Sequence, residues 1–128
     1  MQMDWTTLKK SAPFPAEAFQ FVREGLAHTV KMVHGEAGAA TEDESRHVSG
    51  RQLCLGLKDY AQRQYGLLAR AVLERWGITR TADFGRIVFA MIDSGLMRRT
   101  DEDTIEDFHG VYDFDEAFGS ELRRRGSR

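Results

Sequence analysis

The chain has 128 residues, one domain's worth, and is 41% apolar, enough for a single core of ordinary size. Its formal net charge is −2, which is not the balance of a strongly basic nucleic-acid binder. No apolar run reaches the length of a membrane span. Met1 to Ala12 contains no apolar stretch of the secretory type, and Cys54 is the sole cysteine. An internal disulfide is thereby excluded, and a cytoplasmic location is expected.

Residues 1–12 read as a flexible N-terminus. Pro15 suits a first helical turn and Glu17 suits its positive end. Phe19, Val22, Leu26, Val30 and Val33 follow at steps of three or four, which predicts a helix that Gly35 stops. Residues 36–46 lack periodicity and read as a loop. Ser49 then stands three residues before Gln52, a capping box with Val48 and Leu53 placed as a hydrophobic staple. The helix it opens carries Leu53, Leu57, Tyr60, Ala61 and Tyr65 and is interrupted at Gly66.

Leu67, Leu68, Ala71, Val72 and Trp76 continue a helical pattern as far as Gly77, and Ile78 is placed to fold back onto Leu73. Thr81 is the expected N-cap of the next helix, with Asp83 in its first turn. Phe84, Ile87, Val88, Met91 and Ile92 form its core stripe. Gly95 ends it, with Leu96 returning onto Met91. A last short helix is expected from Asp113, whose carboxylate and Glu116 form a second capping-box candidate. It would bury Phe114, Ala117, Phe118 and Leu122.

Residues 96–108 admit two readings. Strand, turn and strand would complete a winged helix-turn-helix, with Leu68–Trp76 as its first helix and Thr81–Ser94 in the recognition position. A short helix begun by Asp103 or Thr104 would instead give an all-α bundle. The fold class is mainly α: a small helical domain of about five helices over 13–122, with the winged-helix-like arrangement and a short β-hairpin near 96–108 as its finer alternative. Residues 123–128 form a basic tail.

Charge is unevenly spread. Residues 46–99 hold ten Lys/Arg and four Asp/Glu, while residues 100–122 hold nine Asp/Glu and no Lys/Arg. Such segregation signals a partner or an internal contact, and packing of the acidic segment beside the basic helices is the favoured reading.

Several stretches go together: His47-Val48-Ser49-Gly50 with Gln52-Leu53, Tyr65-Gly66-Leu67-Leu68-Ala69, Trp76-Gly77-Ile78, Asp83-Phe84-Gly85-Arg86-Ile87-Val88-Phe89, Gly95-Leu96-Met97, Glu106-Asp107-Phe108 and Val111-Tyr112-Asp113-Phe114-Asp115-Glu116-Ala117-Phe118. This combination resembles an uncharacterised bacterial family of planctomycetes and verrucomicrobia, described as conserved hypothetical proteins. The resemblance spans roughly Pro13 to Phe118. It implies a bacterial cytosolic protein and supplies no activity, cofactor or partner.

Motifs that carry chemistry are few. Asp83-Phe84-Gly85 spells the kinase metal-binding tripeptide but lies inside a predicted helix, without a phosphate loop or catalytic-loop motif. Phe84 is then core, and Gly85 permits close packing against another helix. His28, His34, His47 and His109 include no pair at ligand spacing on one helical face. Asp101, Asp103, Glu106, Asp107, Asp113 and Asp115 lack the spacing and glycine of a calcium loop. No metal, cofactor or catalytic residue is assigned.

The leading reading is a small protein-interaction or regulatory module, with a protein partner or self-association and no membrane. Nucleic-acid binding is the disfavoured alternative, and an enzyme or ligand-binding protein with a dispersed site is the third. The candidate interaction residues are Arg80, Arg86, Arg98, Arg99, His109, Tyr112 and Asp113. Phe108, Tyr112, Phe114 and Phe118 offer an aromatic–acidic surface, although core packing explains them better.

Overall fold

Four helices and three short turns make up the described part of the chain, residues 12–39, 48–97 and 104–119 of a computed structural model. The helices are α1 (Ala16–Ala39), α2 (Gly50–Tyr65), α3 (Ala69–Arg75) and α4 (Thr81–Asp93). Tight 3-10 turns occupy Gly66–Leu68 and Ile105–Phe108, and a wide π turn occupies Asp115–Gly119. The protein is mainly helical, and no strand occurs among the described residues.

Local chemistry sets most of the boundaries. The Ser49 hydroxyl accepts the Gln52 N–H at 3.0 Å, and the Gln52 side chain accepts the Ser49 N–H at 2.9 Å. Two of the open donors of α2 are thus satisfied reciprocally. At the end of α3 the Ile78 N–H reaches the Leu73 carbonyl at 2.9 Å and the Gly77 N–H reaches Glu74 at 2.9 Å. Gly77 has φ 86, a value that a side chain would strain. The same ending recurs after α4, where the Leu96 N–H meets the Met91 carbonyl at 2.8 Å.

Several boundaries differ from the sequence expectation. Gly35 breaks α1 with φ 74 and ψ 175, yet a helical turn resumes and runs to Ala39, into the segment expected as loop. Thr81 is not the cap of α4. Arg80 stands in that position with no side-chain bond, and the Thr81 hydroxyl accepts the Val111 N–H at 3.2 Å. The Asp83 carboxylate accepts the Thr79 N–H, one residue before the cap position, at 2.9 Å. The proposed second strand is absent, because Ile105–Phe108 winds into a 3-10 turn. Thr104 and Asp107 close a capping box around it, which is the helical alternative for this segment. Asp113 caps as expected, but its carboxylate accepts the Asp115 N–H at 2.8 Å rather than pairing with Glu116.

The core is continuous. Helices α1 and α2 run antiparallel, since Gly25 faces Leu57 and Tyr60 while Thr29, one turn later, faces Gly56. Removing Cβ at both glycines lets the two backbones approach closely. Phe19, Val22, Leu53, Leu57 and Ala61 are buried along this seam. Val33, expected in the same stripe, is 39% exposed because the seam ends near Thr29. Helix α4 is the central element, with eight of its 13 residues buried. Residues 104–119 form a strap across it. Phe108 enters a slot between Gly50 and Gly85, where an added Cβ would stand 2.9 and 2.8 Å from it. Phe114 is 3% exposed and packs 6.1 Å from the Phe84 ring.

Candidate functional site

The strap explains several of the expected interaction residues as structural. Tyr112 donates its hydroxyl proton to the Cys54 carbonyl at 2.9 Å, and its ring lies 5.8 Å from Phe114. Burial pushes that phenol well above its ordinary pKa. Gln62 donates to the Ala117 carbonyl at 3.1 Å, and Arg70 pairs with Asp115. The aromatics at 108, 112, 114 and 118 therefore belong to the core, the reading preferred from the sequence. Among the described residues the acidic segment makes one ion pair with a helix, Asp115 with Arg70. Asp113 is confined to its turn, and the exposed His109 is joined through its backbone to the Glu106 carbonyl.

Of the expected arginines, Arg80 and Arg86 are among the described residues. Arg80 and Arg86 both lean toward the buried Asp83 carboxylate, at 4.0 and 3.4 Å. The Arg86 guanidinium also lies 5.2 Å from the centre of the Phe14 ring. Arg98, Arg99, Asp101, Asp103, Leu122 and the tail at 123–128 lie outside the described residues. Phe84 of the kinase-like tripeptide is fully buried, and Gly85 serves close packing, against Phe108 rather than a helix.

Two surface features were not anticipated. One is a polar row along the α1–α2 seam. His28 Nε2 and Arg63 Nε each stand 2.7 Å from Asp59 Oδ2, and Tyr60 donates to Glu24 at 2.9 Å. The Arg63 hydrogen bond, followed by that of His28, holds the Asp59 carboxyl below its ordinary pKa. This row ties two helices together. No nucleophile stands beside His28 in it, and among the described residues no group of three or more His, Cys, Asp and Glu could hold a metal. Cys54 is fully buried, and desolvation pushes its thiol up to about 12, which leaves it a poor nucleophile.

The other feature is the α2–α3 elbow. Gly66 has φ 57 and ψ −132, so the chain leaves the α2 screw there and re-enters helix at Ala69. That step rephases the following turn. Ala69 and Leu73 point inward, at 2% and 0% exposure, whereas Leu67 and Leu68 are 52% and 62% exposed. Leu67 and Leu68, expected to continue a helical pattern, instead form a 3-10 turn and stand exposed. Leu68, Val72 and Trp76 follow at steps of four, and Val72 and Trp76 are half-buried. The Trp76 ring meets Tyr65 edge-on at 6.2 Å. Trp76 also packs 5.6 Å from the Phe21 ring, so the exposed apolar surface here is chiefly Leu67 and Leu68, in the turn before α3.

Among the described residues no helix is long and apolar enough to cross a membrane. Comparison with family models, with curated proteins and with solved structures finds no match.

Proposed function

We propose that this protein is a small helical protein-interaction module without catalysis, and that it meets its partner through the α2–α3 elbow. One observation carries the reading: two consecutive leucines, each more than half exposed, precede a short helix anchored to the core by Ala69 and Leu73. Large apolar side chains fixed on a rigid element lose little entropy on docking and gain roughly 25 cal/mol per Å² of apolar surface covered. Strap residues were the alternative interface, and their aromatics are already engaged inside the domain. The resemblance to a bacterial family of hypothetical proteins is compatible with this reading and adds no partner to it.

The nucleic-acid alternative, in its winged-helix-like form, needs α4 to enter a groove. Most of that helix is buried, and Arg86 and Asp93 are its two exposed side chains. No observation favours that reading or a dispersed catalytic site over the elbow.

The test is an affinity capture from lysate of the source organism, with nuclease treatment, comparing the tagged chain with a Leu67→Ser/Leu68→Ser variant. A protein recovered in stoichiometric amount, resistant to nuclease and lost with the variant, is the expected outcome. Equal recovery by both chains would remove the elbow from the interface. Recovery of nucleic acid alone would replace the module reading.

A further inference from the structure

The strap lies in a groove between α2 and α4, and each wall is a row of positions four apart. On α2 the row is Gly50, Cys54, Lys58 and Gln62. A Cβ on Gly50 would stand 2.9 Å from the Phe108 ring. The Cys54 carbonyl accepts the Tyr112 hydroxyl at 2.9 Å, and the Lys58 ammonium lies 5.9 Å from the centre of the Tyr112 ring. Gln62 donates to the Ala117 carbonyl at 3.1 Å. On α4 the row is Thr81, Gly85 and Phe89. Thr81 accepts the Val111 N–H at 3.2 Å, Gly85 leaves room for the Phe108 side chain, and the Phe89 ring meets Phe108 edge-on at 6.2 Å. Gly85 gives up helix propensity to open that slot. The main chain of the strap bonds to itself: the Asp107 N–H reaches Thr104, His109 reaches Glu106 and Ala117 reaches Asp113. Among the described residues no hydrogen bond from main chain to main chain joins the strap to a helix. Each polar contact across the groove uses a side chain, as in the seating of a docked peptide.

We infer that the strap is an exchangeable occupant of this groove, and that a second copy of this chain inserts the same strap in trans. The occupant's chemistry is that of residues 104–119: Phe108 for the glycine slot, Phe114 against the Phe84 ring at 6.1 Å, and Asp115 for Arg70. Exchange keeps every one of these contacts, so the two arrangements differ only in which chain supplies the strap. Reciprocal exchange closes a two-fold dimer with both grooves filled. Within one chain, the link through residues 98–103 holds the strap at high effective concentration beside its groove. Exchange therefore follows when straps are released at high protein concentration. The inference is independent of the elbow, because none of these contacts involves Leu67 or Leu68.

The test holds the full chain at high concentration in urea near its unfolding midpoint, returns it to buffer and reads its mass by size-exclusion chromatography with light scattering. A dimer is expected. A synthetic peptide of residues 104–119, added in excess during the return, should suppress that dimer by filling open grooves, and the same peptide carrying Phe108→Ala should not. A Leu67→Ser/Leu68→Ser chain, its fold checked by far-UV circular dichroism, should dimerise as the unmodified chain does. Monomer alone would overturn the inference. A dimer indifferent to the peptide, or suppressed equally by both peptides, would overturn it as well. Loss of the dimer in the leucine variant would place self-association at the elbow, which removes strap exchange and leaves the module reading standing.

Discussion

Gly56→Ala is the sharpest probe of how α1 and α2 meet. A Cβ at that position would stand 2.7 Å from both Cβ and Cγ2 of Thr29, and closer still to its Oγ1. Carbon atoms in contact prefer about 3.5–4.0 Å. Rotating Thr29 does not relieve the clash, because its Cβ is itself too near and its hydroxyl is tied to the Gly25 carbonyl at 2.7 Å. The helices must therefore separate by roughly 1 Å at a fully packed seam. Overpacking of this kind costs about 1–3 kcal/mol, and the upper half of that range applies because backbone has to move. Alanine recovers about 1 kcal/mol over glycine through helix propensity. The expected net loss is about 1–2 kcal/mol, which moves a urea unfolding midpoint down by about 1 M at an ordinary m-value. Thr29→Ala in the same chain should restore part of the loss, giving a double-mutant coupling of about 0.5–2 kcal/mol. An unchanged or raised midpoint for Gly56→Ala would refute the close crossing.

Phe108→Ala empties the slot between Gly50 and Gly85 and should cost about 3–5 kcal/mol in denaturant unfolding, as for other buried phenylalanines; a loss below about 1 kcal/mol would mean the strap is not part of the core. Asp59, whose carboxyl pKa is lowered in the fold, contributes stability that is present above its unfolded value and lost as pH falls through the folded one. Asp59→Asn should therefore flatten the acid limb of a stability–pH curve below about pH 4, by less than ~1 kcal/mol given its exposure; a steeper acid limb in the variant would reverse the assignment. Cys54 should react with an aromatic disulfide reagent at pH 8 only as fast as the domain opens; immediate labelling of the native chain would show that its environment has been misjudged.

Elements whose boundaries depend on neighbouring residues were legible in the sequence. The Ser49–Gln52 box and the glycine endings at Gly77 and Gly95 are local contracts between backbone donors and acceptors a few residues apart, so spacing alone specifies them. Features set by distant contacts were not legible. Thr81 looks like a cap until Val111, 30 residues on, claims its hydroxyl. The interruption at Gly66 was legible, but the 3-10 turn over Gly66–Leu68 that leaves Leu67 and Leu68 exposed was not. The polar row is invisible because His28 and Asp59 are 31 residues apart and meet only once the seam has formed.

The charge segregation divides along the same lines. Asp115 pairs with Arg70, but both side chains keep contact with solvent, and exposed pairs contribute only about 0–1 kcal/mol. Phe108 and Phe114, each nearly fully buried, contribute roughly 2–3 kcal/mol apiece. Apolar burial therefore holds the strap down, and the ion pair fixes where it lies along α3. Docking of the strap satisfies the guanidinium on one flank of that helix and leaves Arg75 on the other. Arg70 is thus shared between Glu74 of its own helix and Asp115 of the strap, so the ion pair adds position and apolar burial supplies the stability.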